Sequence, residues 1–150
     1  MENIKKLNAR KHVALIAHDH KKHELIDWAT YNKRVLSNHE LYATGTTGKL
    51  LEDALGVTIT KMMSGPLGGD LQIGSLIAEG KIDIIIFFWD PMEAQPHDPD
   101  IKALLRIAAV WNIPMACDRA TADFLMTSRF MHETYEAILP DYGQYLHRSV

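Results

Sequence analysis

Four short segments rich in histidine, carboxylate, hydroxyl and glycine residues are the parts of this sequence that could do chemistry. They read HDHKK at residues 18–22, TGTTG at 44–48, SGPLGGD at 64–70 and PHDPD at 96–100. Histidine and carboxylate side chains transfer protons near neutral pH, while hydroxyl groups and glycine-rich backbone bind anions. The combination favours proton transfer on a small molecule that carries an anionic group.

The TGTTG segment is predicted to open a helix and to bind phosphate. Thr44, Thr46 and Thr47 offer hydroxyl groups. Gly45 lets the backbone approach an anion at the positive end of the helix dipole. The alternative is that Thr46 or Thr47 merely caps the helix, since threonine is an ordinary N-cap residue. This segment alone leaves both interpretations open.

The SGPLGGD segment supplies a second hydroxyl group at Ser64 and more flexible backbone at Gly65. It lacks the Gly-Lys-Ser/Thr ending of a nucleotide-binding loop, so a small phosphorylated metabolite is favoured over a nucleoside triphosphate. Asp70 has two interpretations, because a carboxylate at a helix start is also a good cap. Together with His97 and Asp100, it favours general acid-base chemistry such as the enolisation of a carbonyl compound.

The segment that begins at His18 carries a cation that could neutralise phosphate charge. Lys22 follows His18 by four residues and lies on the site side of the first helical turn if that helix begins near Asp19. A solvated lysine in the Lys21-Lys22 pair is the alternative. We expect no metal ion, because no cysteine joins these histidines and the adjacent lysines oppose a dication. Cys117 is expected to be a buried, inert thiol.

Short apolar segments alternate with helical segments and must position these loops. Strands are predicted over residues 12–17, 41–43, 57–62, 82–89 and 114–117, and helices over 20–36, 47–55, 69–78, 100–111 and 120–127. This alternation is typical of a parallel α/β sheet, in which ligands bind beyond the carboxyl ends of the strands. The run 82–89 lacks alternation and is predicted to be a central strand covered on both faces.

Composition limits the class of protein. The chain has 150 residues, of which 47% are hydrophobic and 23% are charged, and we expect one domain over residues 1–150. A formal net charge of -3 gives no general attraction for nucleic acid or acidic lipid. A lone cysteine excludes an internal disulfide, and the short apolar runs predict neither a membrane span nor a secretory signal. We therefore expect a cytoplasmic enzyme.

Five blocks in sequence order resemble the methylglyoxal synthase family. They are ARKHVALIAHDHKK, LYATGTTGKL, SGPLGGDLQIG, GKIDIIIFFWDP and PHDPDIKALLRIA, and they span nearly the whole chain. The resemblance implies a three-layer α/β sandwich with a five-stranded parallel sheet in the order 3-2-1-4-5. It also implies a homohexameric lyase that converts dihydroxyacetone phosphate to methylglyoxal and inorganic phosphate without a metal or organic cofactor.

The resemblance also assigns roles to the candidate residues. Asp70 corresponds to the general base, and His97 to the group that polarises the substrate oxygens and shuttles protons. His18 and Asp100 correspond to supporting catalytic residues. A last group corresponds to positions that hold the substrate phosphate and its neighbouring oxygens: His18, Lys22, Thr44, Gly45, Thr46, Thr47, Ser64, Gly65 and His97.

Two alternatives come from proteins of the same fold. One is the regulatory ligand-binding domain of carbamoyl phosphate synthetases, where a phosphate-binding edge senses effectors without chemistry. The other is a hydrolase domain of purine synthesis. A stand-alone chain that retains Asp70, His97 and Asp100 argues against the regulatory domain.

Inorganic phosphate is expected to inhibit as well as to leave as product. In a hexamer, a preference of phosphate for a less active state would make substrate saturation sigmoidal. Arg106 and Arg148 are candidates for linking subunits, and the alternative is that both are solvated surface charges.

Overall fold

Five parallel strands form the main sheet of the protein. In the computed structural model, which describes residues 3–64, 67–93 and 98–143 and only the backbone of 98–100, a short strand β1 (Asn3–Leu7) precedes them. The five are β2 (His12–Ala17), β3 (Glu40–Thr44), β4 (Ile59–Met62), β5 (Ile84–Phe88) and β6 (Met115–Ala116). Their spatial order is β4-β3-β2-β5-β6, so the predicted order 3-2-1-4-5 is confirmed when the five are counted along the chain.

The helices cover both faces of the sheet and complete a three-layer sandwich. They are α1 (Lys22–Tyr31), α2 (Lys33–Leu36), α3 (Gly45–Leu55), α4 (Gly69–Ala78), α5 (Asp98–Val110) and α6 (Arg119–Thr127). One core contains Trp28 of α1 and Leu51 of α3, and the other contains Ile73 of α4 and Leu104 of α5. No helix within the described ranges is both long and apolar enough to span a membrane.

Strand β5 explains why the apolar run 82–89 shows no alternation. All five of its residues are buried. It pairs with β2 on one side and β6 on the other, and its side chains enter the two cores in turn, with Phe87 in one and Phe88 in the other. Both faces of a central parallel strand are shielded from water, so both favour apolar residues. The prediction for this strand is confirmed.

The predicted helix over residues 20–36 is wrong in one respect, because it is interrupted. The chain makes a 3-10 turn at Asp19–Lys21 before α1, and α1 ends at Tyr31 before the short α2. Both the backbone N–H and the side-chain amide of Asn32 donate to the Trp28 carbonyl, at 3.0 and 2.9 Å. A side chain that competes for a helical carbonyl favours a break at that point. The other predicted elements recur with ends shifted by no more than two residues.

A two-stranded antiparallel ribbon lies outside the five-stranded sheet and was not predicted. It consists of β1 and β7 (Tyr135–Leu139), which pair from Asn3 opposite Leu139 to Leu7 opposite Tyr135. The segments NIKKL and YEAIL are each only five residues long, and their pairing joins distant parts of the chain. Local periodicity cannot reveal such pairing.

Candidate active site

The carboxyl ends of four neighbouring strands meet at one edge of the sheet. Thr44 at the end of β3 lies level with Met62 at the end of β4, and Ala17 of β2 lies level with Phe88 of β5. Neighbouring strands in a sheet are about 4.8 Å apart, so the loops that follow them lie side by side. This edge brings together the described parts of the first three polar segments.

Three predicted site residues are not described in full. Gly65 and His97 lie outside the described residues, and Asp100 is described only by its backbone, in the first turn of α5. Arg148 also lies outside the described residues. Their predicted roles therefore stay predictions.

The start of α3 has an N-terminus that no side chain caps. Thr44 is the N-cap residue, with extended backbone, and its side chain makes no capping hydrogen bond. Gly45, Thr46 and Thr47 form the first helical turn, so the interpretation of Thr46 or Thr47 as the cap is wrong. Thr47 is buried whereas Thr46 is exposed. First-turn amides carry the positive end of the helix dipole, which is a suitable place for a phosphate.

Gly45 allows the loop after β4 to lie against the start of α3. A Cβ added to Gly45 would lie 3.0 Å from the Cα of Ser64 and 3.1 Å from its Cβ. The Ser64 carbonyl accepts hydrogen bonds from the backbone N–H groups of Leu67 and Gly69, both at 3.0 Å. Ser64 is therefore held beside the first turn of α3 by a contact that requires glycine.

Helix α4 begins in close contact with the strand ends. Its N-cap is Gly68, with a positive φ of 103°, and the next residue is Gly69. A Cβ on Gly69 would overlap the Met63 carbonyl oxygen and approach the Thr44 Cγ2 to 2.9 Å. Asp70 follows as the second helical residue. Asp70 is therefore not the N-cap, because Gly68 holds that position, but as the acidic residue of the first turn it complements the helix dipole.

The Asp70 side chain lines a cavity between α4 and α5. The cavity has a volume of about 290 Å³, and Arg106 of α5 is among its lining residues. Arg106, a candidate for linking subunits, lies along the same groove as Asp70. A carboxylate and a guanidinium in one groove make it suitable for a small polar molecule.

His18 follows β2 and is held in one orientation. Its Nδ1 accepts a hydrogen bond from the Asp90 backbone N–H at 3.1 Å, and its ring packs edge-on against Phe87 with 5.3 Å between ring centroids. A backbone N–H can only donate, so a neutral His18 carries its proton on Nε2. Its side chain is 11% exposed. The Asp90 N–H therefore fixes both the orientation and the tautomer of the neutral ring.

Lys22 is not a freely solvated lysine. It is the first residue of α1, its side chain is 23% exposed, and its Nζ lies 2.8 Å from the Asp19 Oδ1. The neighbouring Lys21 has a different partner, because its Nζ lies 3.2 Å from the Glu24 Oε2. The two lysines of the pair thus occupy distinct environments.

Asp90, two residues after β5, lies at the edge of the site and has no predicted role. Its Oδ1 accepts a hydrogen bond from the Met92 backbone N–H at 2.9 Å, and its Oδ2 lies 3.3 Å from the His20 Nδ1. The Met92 hydrogen bond, supported by the one to His20, lowers the pKa of Asp90 against the opposing effect of desolvation. These contacts fix the turn whose N–H orients His18. An aspartate directly before a proline at the end of a buried strand is the signal that could have found it.

The described residues were predicted to hold no metal ion, and Cys117 was predicted to be inert. Over residues 3–64, 67–93 and 98–143, no three His, Cys, Asp or Glu side chains are grouped to hold a metal ion. The expectation of a metal-free site stays a prediction, since the side chains of His97 and Asp100 are not part of that description. Cys117 is a free thiol that is partly exposed, whereas a buried thiol was expected.

Comparison with known proteins gives the family. The family model described as "MGS-like domain" matches residues 24–117. A methylglyoxal synthase from Pectobacterium atrosepticum is 59% identical over 138 residues, which are 92% of this chain and 91% of that protein. This chain belongs to the methylglyoxal synthase family. The methylglyoxal synthase from Coxiella burnetii strain RSA 493 is 57% identical over 140 residues, which are 93% of this chain and 98% of that protein.

A solved member of the family has the same fold. The crystal structure of methylglyoxal synthase from Elizabethkingia anophelis NUHP1 matches with a TM-score of 0.94 and 58% sequence identity. The match covers 99% of this chain and 98% of that chain. The resemblance stated from the five sequence blocks is therefore confirmed, as is the three-layer fold that it implied.

Proposed function

We propose that this chain is a lyase that converts dihydroxyacetone phosphate to methylglyoxal and inorganic phosphate. One observation carries the proposal. In a member of the methylglyoxal synthase family, the uncapped start of α3 lies beside the start of α4, which bears Asp70. A phosphate site and a carboxylate base are thereby placed within one small site.

The substrate phosphate binds at the first turn of α3. The amides of Gly45, Thr46 and Thr47 and the exposed Thr46 hydroxyl donate to its oxygens, and Ser64 lies beside them. Lys22 contributes positive charge from the start of α1. Hydrogen bonds to a charged acceptor are roughly twice as strong as those between neutral groups, which favours binding of the phosphate dianion.

Asp70 removes a proton from the hydroxymethyl carbon next to the substrate carbonyl. The enediolate that forms carries charge on its oxygens, and preorganised donors stabilise that charge. The Nε2–H of His18 is one such donor, because the Asp90 N–H holds the opposite ring nitrogen. We assign His97 to polarising these oxygens and shuttling protons, and Asp100 to a supporting role.

Phosphate then leaves from the carbon on the other side of the carbonyl. The bridging carbon–oxygen bond breaks most easily when it stands perpendicular to the enediolate plane, because its electrons then overlap the π system. We infer that the α3 start holds the phosphate out of that plane. An isomerase would hold the bond in the plane and retain the phosphate. The released enol becomes methylglyoxal.

Turnover of dihydroxyacetone phosphate by the purified chain tests this function. We expect methylglyoxal to form with excess chelator present, because the assigned roles use hydrogen-bond donors and Lys22 rather than a metal. Loss of activity on chelation, with recovery on adding one metal, would contradict these roles. Binding of phosphate with no product from the substrate would instead favour the regulatory domain described above.

We further infer a cytoplasmic homohexamer that phosphate inhibits. Phosphate is the leaving group, so it competes for the same helix start, and preference for a less active state of a hexamer would add cooperativity. The relevant measurements are initial-rate curves at several phosphate concentrations and the molecular mass by light scattering. Sigmoidal curves from a hexamer would support both parts. Hyperbolic curves would leave competition alone, and indifference to phosphate would contradict the binding site.

A further inference from the structure

A second cavity lies at the opposite edge of the sheet, where the strands begin. Its volume is about 300 Å³, which is at the lower end of the range for small-molecule sites. Lys11, directly before β2, and Ile84, the first residue of β5, form part of its wall. This cavity is therefore separated from the candidate active site by the length of the strands.

The walls of the second cavity are mainly apolar and carry one charge. Leu7, Ile113, Leu125 and Phe130 supply apolar surface, and Lys11 is the sole charged residue among the described lining residues. An apolar wall with a single cation fits a ligand that has an apolar body and one negative group. The lining also includes Asn112, Ser128 and Tyr135, but its single cation leaves one of the two charges of a phosphate dianion unpaired.

Lys11 is a buried cation without a carboxylate partner among the described residues. It is 2% exposed, and its ammonium donates to the backbone carbonyls of Asn8 and Glu133. These two bonds use two of the three N–H groups of an ammonium. Burial lowers the pKa of Lys11, while the charge of Asp83 raises it to a smaller extent. The partners of this ammonium among the described residues are thus neutral carbonyl oxygens and not a carboxylate.

Asp83 acts on the Lys11 ammonium through its charge at a distance and is not its ion-pair partner. Asp83 accepts a hydrogen bond from the His12 backbone N–H at 2.8 Å, and its other oxygen lies 3.6 Å from the Lys5 Nζ. The Nδ1 of His39 accepts from the Lys11 backbone N–H at 2.9 Å. Burial, followed by the charges of His132, Lys11 and Arg10, lowers the pKa of His39 to about 4, so this ring is neutral at pH 7.

We propose that the cavity at the amino-terminal edge binds a small organic carboxylate whose apolar body packs on Leu125 and Phe130. The carboxylate accepts a hydrogen bond from the Lys11 ammonium and offsets its buried charge. The ligand is chemically distinct from the phosphorylated substrate and occupies the other edge of the sheet. The two sites can therefore be occupied together.

Binding of hexanoate to the full-length protein at pH 7 tests the proposal, with 1-hexanol as the neutral ligand of equal chain length. Titration calorimetry should give a dissociation constant at least about tenfold lower for hexanoate, as expected for one charge-assisted hydrogen bond. Saturating phosphate should not displace it. Equal affinity for the two compounds, displacement by phosphate or no binding of hexanoate would overturn the proposal. A cavity closed by another copy of the chain would give that last result.

Two variants locate the bound hexanoate. Lys11→Met should remove the preference over hexanol, while Leu125→Trp should abolish binding by filling the cavity and leave Lys11 in place. If Lys11→Met does not fold, Leu125→Trp decides the matter alone. Unchanged hexanoate affinity in the folded Leu125→Trp protein would place the ligand elsewhere and contradict the proposal. Activity toward dihydroxyacetone phosphate serves as the check that each variant is folded.

Discussion

Helices that follow the strands of this sheet begin in two different ways. Helix α6 has a side-chain cap, because the Asp118 Oδ1 accepts a hydrogen bond from the Thr121 backbone N–H at 2.7 Å. Helix α3 begins at Thr44 and α4 begins at Gly68, and neither N-cap residue supplies such a bond. All three helices follow strands of one parallel sheet, so the difference comes from the residues at the turns.

This difference in capping separates the start of α6, which is structural, from the starts of α3 and α4, which we propose bind ligand. A capped N-terminus has one of its orphan amides satisfied by the protein itself. An uncapped N-terminus leaves more of those amides for water or for an anion, although in α4 the Gly69 N–H already donates to the Ser64 carbonyl. The glycines at 45 and 69 bring the two uncapped starts against neighbouring strand ends, where a side chain would collide. We therefore expect changes at α3 and α4 to affect catalysis and changes at α6 to affect stability alone.

The largest effect is expected from Asp70→Asn. The amide cannot accept the substrate proton, so turnover should fall roughly 10³-fold, within the range for loss of a general base. Phosphate affinity, measured by calorimetry, should stay within about twofold because the amide is nearly the same size and is not assigned to the phosphate. Asp118→Asn is the matched control at the start of α6 and should keep wild-type turnover. Near-normal turnover of Asp70→Asn would remove the distinction between the two helix starts.

A smaller effect is expected from Gly69→Ala. The new Cβ would overlap the Met63 carbonyl, so α4 must shift, at a cost of about 2 kcal/mol in the free energy of unfolding. The shift moves Asp70 and should also lower kcat by at least about tenfold. Gly74→Ala, in the same helix, meets nothing closer than the Leu104 Cδ2 at 4.0 Å. Denaturant unfolding should show this control to be about 0.5–1 kcal/mol more stable than the wild type. Equal stability of the two variants would show that α4 is not held by close contact.

Lys22→Met tests whether the lysine at the start of α1 contacts phosphate. Removing its charge should raise the KM for dihydroxyacetone phosphate and the inhibition constant of phosphate about tenfold each, with a smaller change in kcat. Lys21→Met removes the adjacent charge, which pairs with Glu24, and should change neither constant by more than about twofold. Similar effects of the two variants would indicate a general field of charge rather than a contact of Lys22 with phosphate.

The smallest effect is expected from Asp118→Ala. Loss of the cap should lower the free energy of unfolding by about 1 kcal/mol and leave turnover unchanged. The hydrogen bonds from Thr121 lower the pKa of Asp118 from 3.8, so its contribution is present above pH 4 and is lost as the pH falls through the lowered value. Unfolding curves of both proteins, measured from pH 7 downward, should therefore converge as the pH falls through the lowered pKa of Asp118. A persistent difference in acid would contradict the capping role.

The strand order and the sheet edge could be predicted because local patterns and sequence blocks carry them. β5 is an unbroken apolar run, and a parallel sheet sends the loops after its strands to one edge. The N-cap of α3 could not be predicted, since Thr44, Thr46 and Thr47 are equally good caps by residue type. The position at which β3 ends decides among them, and it makes Thr44 the cap.

Features that depend on contacts between distant residues could not be predicted from the sequence either. The proton position on His18 depends on the Asp90 backbone N–H, which lies 72 residues away. The ribbon of β1 and β7 joins segments near opposite ends of the chain. Neither contact leaves a periodic signal in the local sequence. The site residues could be named from their types, but their orientation required the fold.

The distribution of products from dihydroxyacetone phosphate tests whether Asp70 initiates phosphate elimination at the start of α3. Proton and phosphorus NMR of one reaction mixture can follow methylglyoxal, inorganic phosphate and glyceraldehyde 3-phosphate together, for the wild type and for Asp70→Asn. We predict equal amounts of methylglyoxal and phosphate from the wild type, no glyceraldehyde 3-phosphate, and almost no product from the variant. Accumulation of glyceraldehyde 3-phosphate, or equal rates in the two proteins, would contradict elimination initiated by Asp70 at the α3 phosphate site.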